Sequence, residues 1–374
     1  MSTLVVGVPT EIKDNEKRVA LTPDGVAELA HHGHSVVVQA GAGTGSRFSD
    51  REYAVAGAKV VAEADEVFEA ADLIVKVKEP VPAEYDRFRP GQQLFTYLHL
   101  AADRGLTQFL LERRIDSIAY ETVQTADRKL PLLTPMSEVA GRMAVQAAAH
   151  HLESPNGGAG ILLGGVPGTP AAHVLIIGGG VSGTEAAKIA LGMRAMVRVL
   201  DTNPGRLAYL SDIFGGRLDL VVPNRARTAA YVAEADVVIG AVLVPGAKAP
   251  KLVSREMVAA MRPGSVVVDI AIDQGGCFET SRPTTHSNPT YVEEGVTHYC
   301  VANIPGAVAR TSTLALTSAT LPYLVTVAKH GVPGSAKGDA ALRAGLSTLS
   351  GQLVSEPVAE AHELPFTDPA GLLG

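Results

Sequence analysis

The sequence has no tryptophan, and aromatic residues make up only 5% of it. A surface that stacks nucleic-acid bases needs aromatic faces, so that class is disfavoured. Basic excess is missing too. Acids number 39 against 32 bases, the net charge is −7, and no long Lys/Arg run occurs. A nucleic acid or an anionic membrane therefore has no electrostatic footprint to meet. Two cysteines, Cys277 and Cys300, have neither the number nor the spacing of a disulfide framework or a zinc site. Free thiols in a reducing cytoplasm are expected, and no metal. Residues 1–18 lack a basic front with a long apolar run behind it, so no signal peptide is expected. Two uncharged stretches, 155–184 and 311–328, are the nearest approach to a membrane span. The first is loaded with glycine and contains His173; the second is rich in Ser and Thr and contains Pro322. Neither is a clean run of about 20 apolar residues. The second is expected to be a buried or subunit-facing helix.

What is present is core material. Apolar residues are 46% of 374 and charged residues 19%, which suits a folded chain of about two domains at roughly 150 residues each. Short β-branched runs alternate with Ala-rich helical patterns. Strands are predicted at 4–8, 35–39, 59–61, 73–77, 93–96 and 117–119, and helices at 22–32, 67–71 and 106–113. A long apolar-periodic helix at 139–152 then stops at Ser154-Pro155-Asn156-Gly157-Gly158. It reads as an interdomain connector whose apolar face could meet another subunit. A second block follows, with strands at 173–177, 196–200, 237–241 and 266–270 and helices at 182–191 and 226–234. A helix at 312–329 leads into a small-residue tail that could return to the first block. Strand, helix, strand in that order implies βαβ units and parallel sheets, so the fold class is α/β with two doubly wound, Rossmann-like domains.

The sharpest local motif is Gly178-Gly179-Gly180-Val181-Ser182-Gly183. It fits G-x-G-x-x-G, with a predicted strand before it and a helix after it. Gly178 allows the tight turn, Gly180 lets backbone approach a pyrophosphate, and Gly183 allows close helix–strand packing. The helix N-terminus supplies N–H donors to the phosphates. Asp201 ends the next strand, at the position where an acid accepts ribose hydroxyls. It favours NAD over NADP, because a 2′-phosphate would meet a carboxylate; Arg194, Arg198 and Arg206 nearby weaken that preference slightly.

Further chemistry clusters at predicted strand exits. Most charges in residues 11–18 are expected to be solvated, but Arg18 leads directly into the helix start Thr22-Pro23. A guanidinium there can grip a small carboxylate through two parallel hydrogen bonds. Lys76 and Lys78 share one face of a predicted strand, pointing toward the crevice where α/β sheets bind ligands. His99 is the best acid/base residue, since its reference pKa of about 6.5 lets it move protons near neutrality. Asp269 and Asp273 follow a strand of the dinucleotide block, and spacing does not choose between them. Asn303 offers an amide at another strand exit.

Longer strings join these residues. They include Gly7-Val8-Pro9-Thr10-Glu11, Arg18-Val19-Ala20-Leu21-Thr22-Pro23, Lys76-Val77-Lys78-Glu79-Pro80, Leu98-His99-Leu100-Ala101-Ala102 and Pro135-Met136-Ser137-Glu138-Val139. Gly164-Gly165-Val166-Pro167-Gly168, residues 241–250 and residues 269–276 continue the series. In this order, across essentially the whole chain, they resemble the alanine dehydrogenases. The resemblance implies NAD-dependent oxidative deamination of L-alanine to pyruvate and ammonium, and the reverse amination. It implies that Arg18 and Lys78 hold the substrate, that His99 is the acid/base, and that Tyr97 and Asn303 line the pocket. It selects Asp273 over Asp269 as the acid beside substrate and nicotinamide ribose. It assigns Ser137, Gly178, Gly180, Val181, Gly183, Asp201, Arg206 and Ile304 to the cofactor, Ile304 standing where some relatives have Met. It also implies a homohexamer of two domains with a cleft between them.

The chemistry suits that assignment. Hydride loss from L-alanine gives an iminium, water adds, and ammonia leaves through a carbinolamine. Those proton transfers need a poised His and Asp, and the developing oxyanion needs a cation such as Lys78. The nearest rival is the nucleotide-binding part of proton-translocating transhydrogenase, which resembles this family but processes no amino acid. His99 within Leu98-His99-Leu100 is the discriminating feature. A non-catalytic NAD sensor would lack Arg18, Lys78, His99 and Asp273, and a lysine- or saccharopine-type dehydrogenase would take a larger substrate. The domains are expected at 1–136 with 309–374 for the substrate, and at 137–308 for NAD.

Overall fold

The computed structural model describes residues 4–242 and 249–374. Residues 243–248 of the string 241–250 lie outside the described residues. The chain forms two compact units, one from Met1–Met136 and Val308–Gly374, the other from Ser137–Ala307. The first boundary falls inside the helix Thr134–His151, the second inside the 3-10 turn Ile304–Val308.

In the first unit the sheet runs, edge to edge, Gln352–Leu353, Leu346–Leu349, Asp116–Ala119, Gln93–Thr96, Leu73–Val75, Val5–Val8, Ser35–Gln39 and Lys59–Val61. The six strands of the N-terminal segment are parallel to their neighbours. The two C-terminal strands add an antiparallel edge, with Leu346 opposite Ile118. In the second unit the order is Thr290–Glu293, Val296–Tyr299, Val266–Asp269, Val237–Gly240, His173–Ile177, Met196–Leu200 and Asp219–Val221. Among the described residues only Thr290–Glu293 is antiparallel there. Counting the parallel strands by chain order, both sheets read 3-2-1-4-5-6, the doubly wound order. Each has a switch point beside its first strand, where connections leave to opposite sides.

The strands read as apolar runs because both faces are covered. Along His173–Ile177, Val174 and Ile176 enter one core with Ala186, Ala190 and Leu210. Leu175 and Ile177 enter another with Val232, Val258 and Phe278. Several helix starts carry side-chain caps that satisfy otherwise orphaned N–H groups. Thr22 accepts from the Gly25 amide ahead of Pro23–His31, and Asn203 accepts from Gly205 and Arg206 ahead of Pro204–Phe214.

Three local expectations are corrected. The apolar face of the helix predicted at 139–152 is not a subunit contact, because Ala140, Ala144, Val145, Ala148 and Leu152 are buried in the second unit's own core. The strand predicted at 73–77 stops at Val75, so Lys76 and Lys78 lie beyond it. The helix predicted to end at residue 329 breaks at Gly331, where φ is 70°, and resumes through Gly338. The Val332 amide, displaced from the helical ladder, donates to Gln93 Oε1 at 2.6 Å. Among the described residues no helix is long and apolar enough to cross a membrane.

Candidate functional site

The glycine turn sits where the strand His173–Ile177 meets the helix Val181–Gly192. Gly178 and Gly183 are required by contact. Gly178 has φ 103°, and a Cβ there would lie 2.6 Å from the Ala241 carbonyl oxygen. A Cβ on Gly183 would lie 1.8 Å from the Gly178 oxygen. Gly180 is the opposite case: a Cβ there would meet nothing within 4 Å. Gly180 also caps its helix without a side-chain bond, unlike Thr22 and Asn203. The turn therefore offers open space over backbone donors at a helix N-terminus, the geometry that accepts a pyrophosphate. Val181 opens that helix and is exposed.

Asp201 follows the strand Met196–Leu200 and spans two backbone donors. It accepts from Gly179 N at 2.7 Å and from Asn203 N at 2.8 Å. Arg206 folds back onto the turn, donating to the carbonyls of Gly179 and Gly180 and to Thr184 Oγ1. By engaging the carbonyls it fixes the orientation of the turn's peptides. Arg198 is committed elsewhere, to Asp219, Glu234 and the Tyr231 ring. These residues fit a dinucleotide, with a carboxylate at the ribose position.

Two carboxylates left open by spacing are separated by burial. Asp269 is fully buried and accepts from the amides of Ala271 and Cys277 and the hydroxyl of Ser281. Burial lifts its carboxyl above the usual range against those bonds. Its bonds hold the turn Ile270–Gln274, on which Asp273 is exposed. Asn303 takes a left-handed φ of 74°, and its carbonyl faces His286 Nε2 at 2.9 Å. Ile304 is buried in the core, so only its backbone could face a ligand. Ser137 is half-buried in the helix Thr134–His151.

In the first unit the candidate substrate residues leave the carboxyl ends of neighbouring strands. Arg18 lies on the long connection after Val5–Val8, Lys78 after Leu73–Val75, and Tyr97 and His99 after Gln93–Thr96. Arg18 is 2% exposed. Its Nε and Nη2 engage both oxygens of Glu16 at 2.7 and 2.5 Å, and Nη1 donates to Met136 Sδ at 3.1 Å. Burial opposes the charge, but Glu16 more than offsets it and carries Arg18 above its ordinary range. The bidentate edge predicted to grip a ligand is thus turned toward Glu16. Tyr97 is kept a neutral phenol by burial, and its hydroxyl donates to the Leu132 carbonyl at 2.5 Å. Its ring lies parallel to that of His99, centroids 5.9 Å apart.

His99 has a left-handed φ of 50°, an uncommon conformation for a residue with a Cβ. Glu121 holds it there. Its carboxylate accepts from the amides of Leu98 and His99, the latter at 2.6 Å, and lies 4.0 Å from His99 Nδ1. The imidazole remains 39% exposed. Glu79 pairs with Lys13. Burial pushes its carboxyl up, but Lys78, Lys13 and His99 more than reverse that and hold it below the usual range.

Sequence reasoning missed the carboxylates beneath these groups. Glu11 and Glu16, expected in a solvated run, are buried, as is Glu84. Lys76 is 1% exposed and lies 2.8 Å from Glu84 and 3.2 Å from Glu11. Burial pushes its pKa down, but the two carboxylates more than reverse that and hold it above the usual range. The one signal in the sequence was an acid-rich run beside strings that carry the resemblance.

Two doubly wound sheets, a glycine turn at a helix N-terminus and an acid after the next strand define a dinucleotide-dependent dehydrogenase. The Alanine dehydrogenase/PNT N-terminal domain matches residues 7–140, and the Alanine dehydrogenase/PNT C-terminal domain matches residues 144–356. The chain belongs to this alanine dehydrogenase/PNT family. It is 57% identical over 365 residues to an alanine dehydrogenase of Methanococcus maripaludis, covering 97% of this chain and 98% of the relative. A solved L-alanine dehydrogenase superposes with a TM-score of 0.92 at 50% identity, covering 96% and 99% of the two chains. A transhydrogenase from Sinorhizobium meliloti superposes at 0.79 with 27% identity, covering 94% and 99%.

Proposed function

We propose that this chain is an NAD-dependent alanine dehydrogenase, interconverting L-alanine with pyruvate and ammonium. The observation that carries this reading is the grouping of Arg18, Lys78, Tyr97 and His99 at the carboxyl ends of neighbouring strands in one unit. Full-length likeness above 50% to an alanine dehydrogenase supports it. His99 also favours it over a transhydrogenase function, which has no proton to move on an amino acid.

In this reading the first unit binds the substrate. Glu16 holds Arg18 so that the guanidinium end near the Met136 sulfur, a weak acceptor, can exchange it for a carboxylate oxygen. Lys78 stabilises charge on the substrate carbonyl oxygen as it develops. His99, set by Glu121, takes the proton from attacking water and returns one to the leaving group. The second unit holds NAD at Gly178, Gly180, Val181 and Gly183, with Ser137, Arg206 and the Ile304 backbone as further contacts and Asp201 at the adenosine ribose. When bound, the nicotinamide accepts the hydride of the substrate. Asp273 serves as the second acid of that site, and Asn303 orients the groups around it. A homohexamer acting in the cytoplasm completes the reading, supported by the family resemblance.

The test is a coupled assay. NADH oxidation should require pyruvate and ammonium together, and NADPH should serve poorly. Turnover without ammonium, or only with larger oxoacids, would reject the reading. A single subunit mass by light scattering would remove the hexamer.

A further inference from the structure

The connection after Val5–Val8 and the segment after Leu73–Val75 meet at the first unit's switch point, where two carboxylates join them: Glu79 pairs with Lys13 in a partly exposed place, and Glu11 makes the buried tie. Glu11 Oε1 accepts from the Val77 amide at 2.6 Å. Glu11 Oε2 faces the Lys78 amide at 3.4 Å and Lys76 Nζ at 3.2 Å. Lys76 in turn reaches Glu84 Oε1 at 2.8 Å, and Glu84 accepts from the Val81 amide at 3.0 Å. The side chains of Glu11, Lys76 and Glu84 are nearly sealed from solvent, at 3%, 1% and 3% exposure. Beyond the strand end at Val75, Lys76 N donates to the Phe95 carbonyl and Tyr97 N to the Val77 carbonyl, both at 3.3 Å, and Thr96 Oγ1 donates to the Lys78 carbonyl at 3.1 Å, while the Lys78 amide faces Glu11. Water does not compete at these exposures, so the bonds hold their geometry.

We propose that Glu11, anchored by Lys76, is a positioning residue for Lys78. The inference rests on the substrate role of Lys78 given above. The carboxylate fixes the peptide that launches the Lys78 side chain and ties it to the connection carrying Arg18. Burial holds the Glu11 carboxyl above its usual range and Lys76 at 3.2 Å opposes that; removing either partner leaves the other uncompensated. Neither group touches substrate. Loss of the tie should let the Lys78 ammonium drift, and small misplacements of a positioning group weaken binding steeply.

The experiment measures pyruvate binding to the NADH-loaded protein, after wild type has shown pyruvate- and ammonium-dependent NADH oxidation. Failure of that first assay rejects the functional reading, not this tie. With wild type active, Glu11→Gln should weaken pyruvate binding on the order of tenfold. NADH affinity and far-UV circular dichroism should not change. In a Lys78→Ala background the same substitution should change pyruvate affinity less than twofold, because the group it positions is gone. Unchanged pyruvate affinity in Glu11→Gln, or a full loss persisting in Lys78→Ala, overturns the proposal. If Glu11→Gln does not fold, Glu11→Asp takes the same readouts. It keeps the charge beside Lys76 but draws back from the amides. Failure of both to fold assigns Glu11 a purely structural role and also overturns it.

Discussion

The two units share a strand order and use it in opposite ways. In the second, the first strand runs straight into a glycine turn, and the switch point is left open. Nothing would meet a side chain at Gly180, and the helix behind it starts without a side-chain cap. In the first, the corresponding connection runs from residue 9 to residue 22 and brings Glu11, Glu16 and Arg18 to its switch point, where Lys76 joins them from the segment after Leu73–Val75, all buried. One site binds by backbone and space; the other is built of paired side chains. A doubly wound sheet puts ligands at the carboxyl ends of its strands in both cases. What lies on the connections decides whether a phosphate chain or a small polar molecule fits.

This contrast can be broken by substitutions that harm one site and spare the other. The largest effect is expected for His99→Ala. Loss of general acid/base help should lower kcat on the order of a thousandfold while NADH titration gives the wild-type affinity. A kcat near wild type would remove His99 from the reaction. Gly183→Ala should act on the opposite side. A Cβ placed 1.8 Å from the Gly178 oxygen forces the turn and helix apart, at a cost of about 1–3 kcal/mol, read as weaker NADH binding and a lower Tm. Normal NADH affinity would mean that the turn does not bind the cofactor.

Smaller effects sharpen the picture. Arg18→Lys loses the fork that engages both Glu16 oxygens, and should raise the pyruvate KM about tenfold with the NADH KM unchanged. An equal rise in both would show that Arg18 acts on the whole fold. Asp201→Gly should narrow the preference for NADH over NADPH by several-fold in steady-state kinetics; an unaltered ratio would exclude a ribose role. The least effect concerns Cys277 and Cys300. Both are buried, and burial pushes the Cys300 thiol up to about 11. A disulfide reagent at neutral pH should leave them unmodified in the folded protein and react with both after denaturation.

The local elements of the second unit were readable because their signals are local. Strands 173–177 and 196–200 fall on the residues that the apolar runs mark, and the glycine turn sits between strand and helix. In the first unit the same reading found Arg18, Lys78, Tyr97 and His99 at strand exits but misjudged their surroundings. It placed Lys76 in a strand and Glu11 in a solvated run. Burial of a charge depends on its partner, and Glu11 and Lys76 are far apart in the chain. The antiparallel return of Leu346–Leu349 beside Asp116–Ala119 was equally hard to see, since those strands are short and their partner is distant.

Strand periodicity, helix starts and the glycine turn follow from the amino-acid order itself, because neighbours in the chain satisfy them. Which acids are sealed in, which cation each one faces, and how the Glu121 carboxylate holds His99 at positive φ come only from the folded chain. Those contacts join segments that the strand order brings together, and no local pattern records that order.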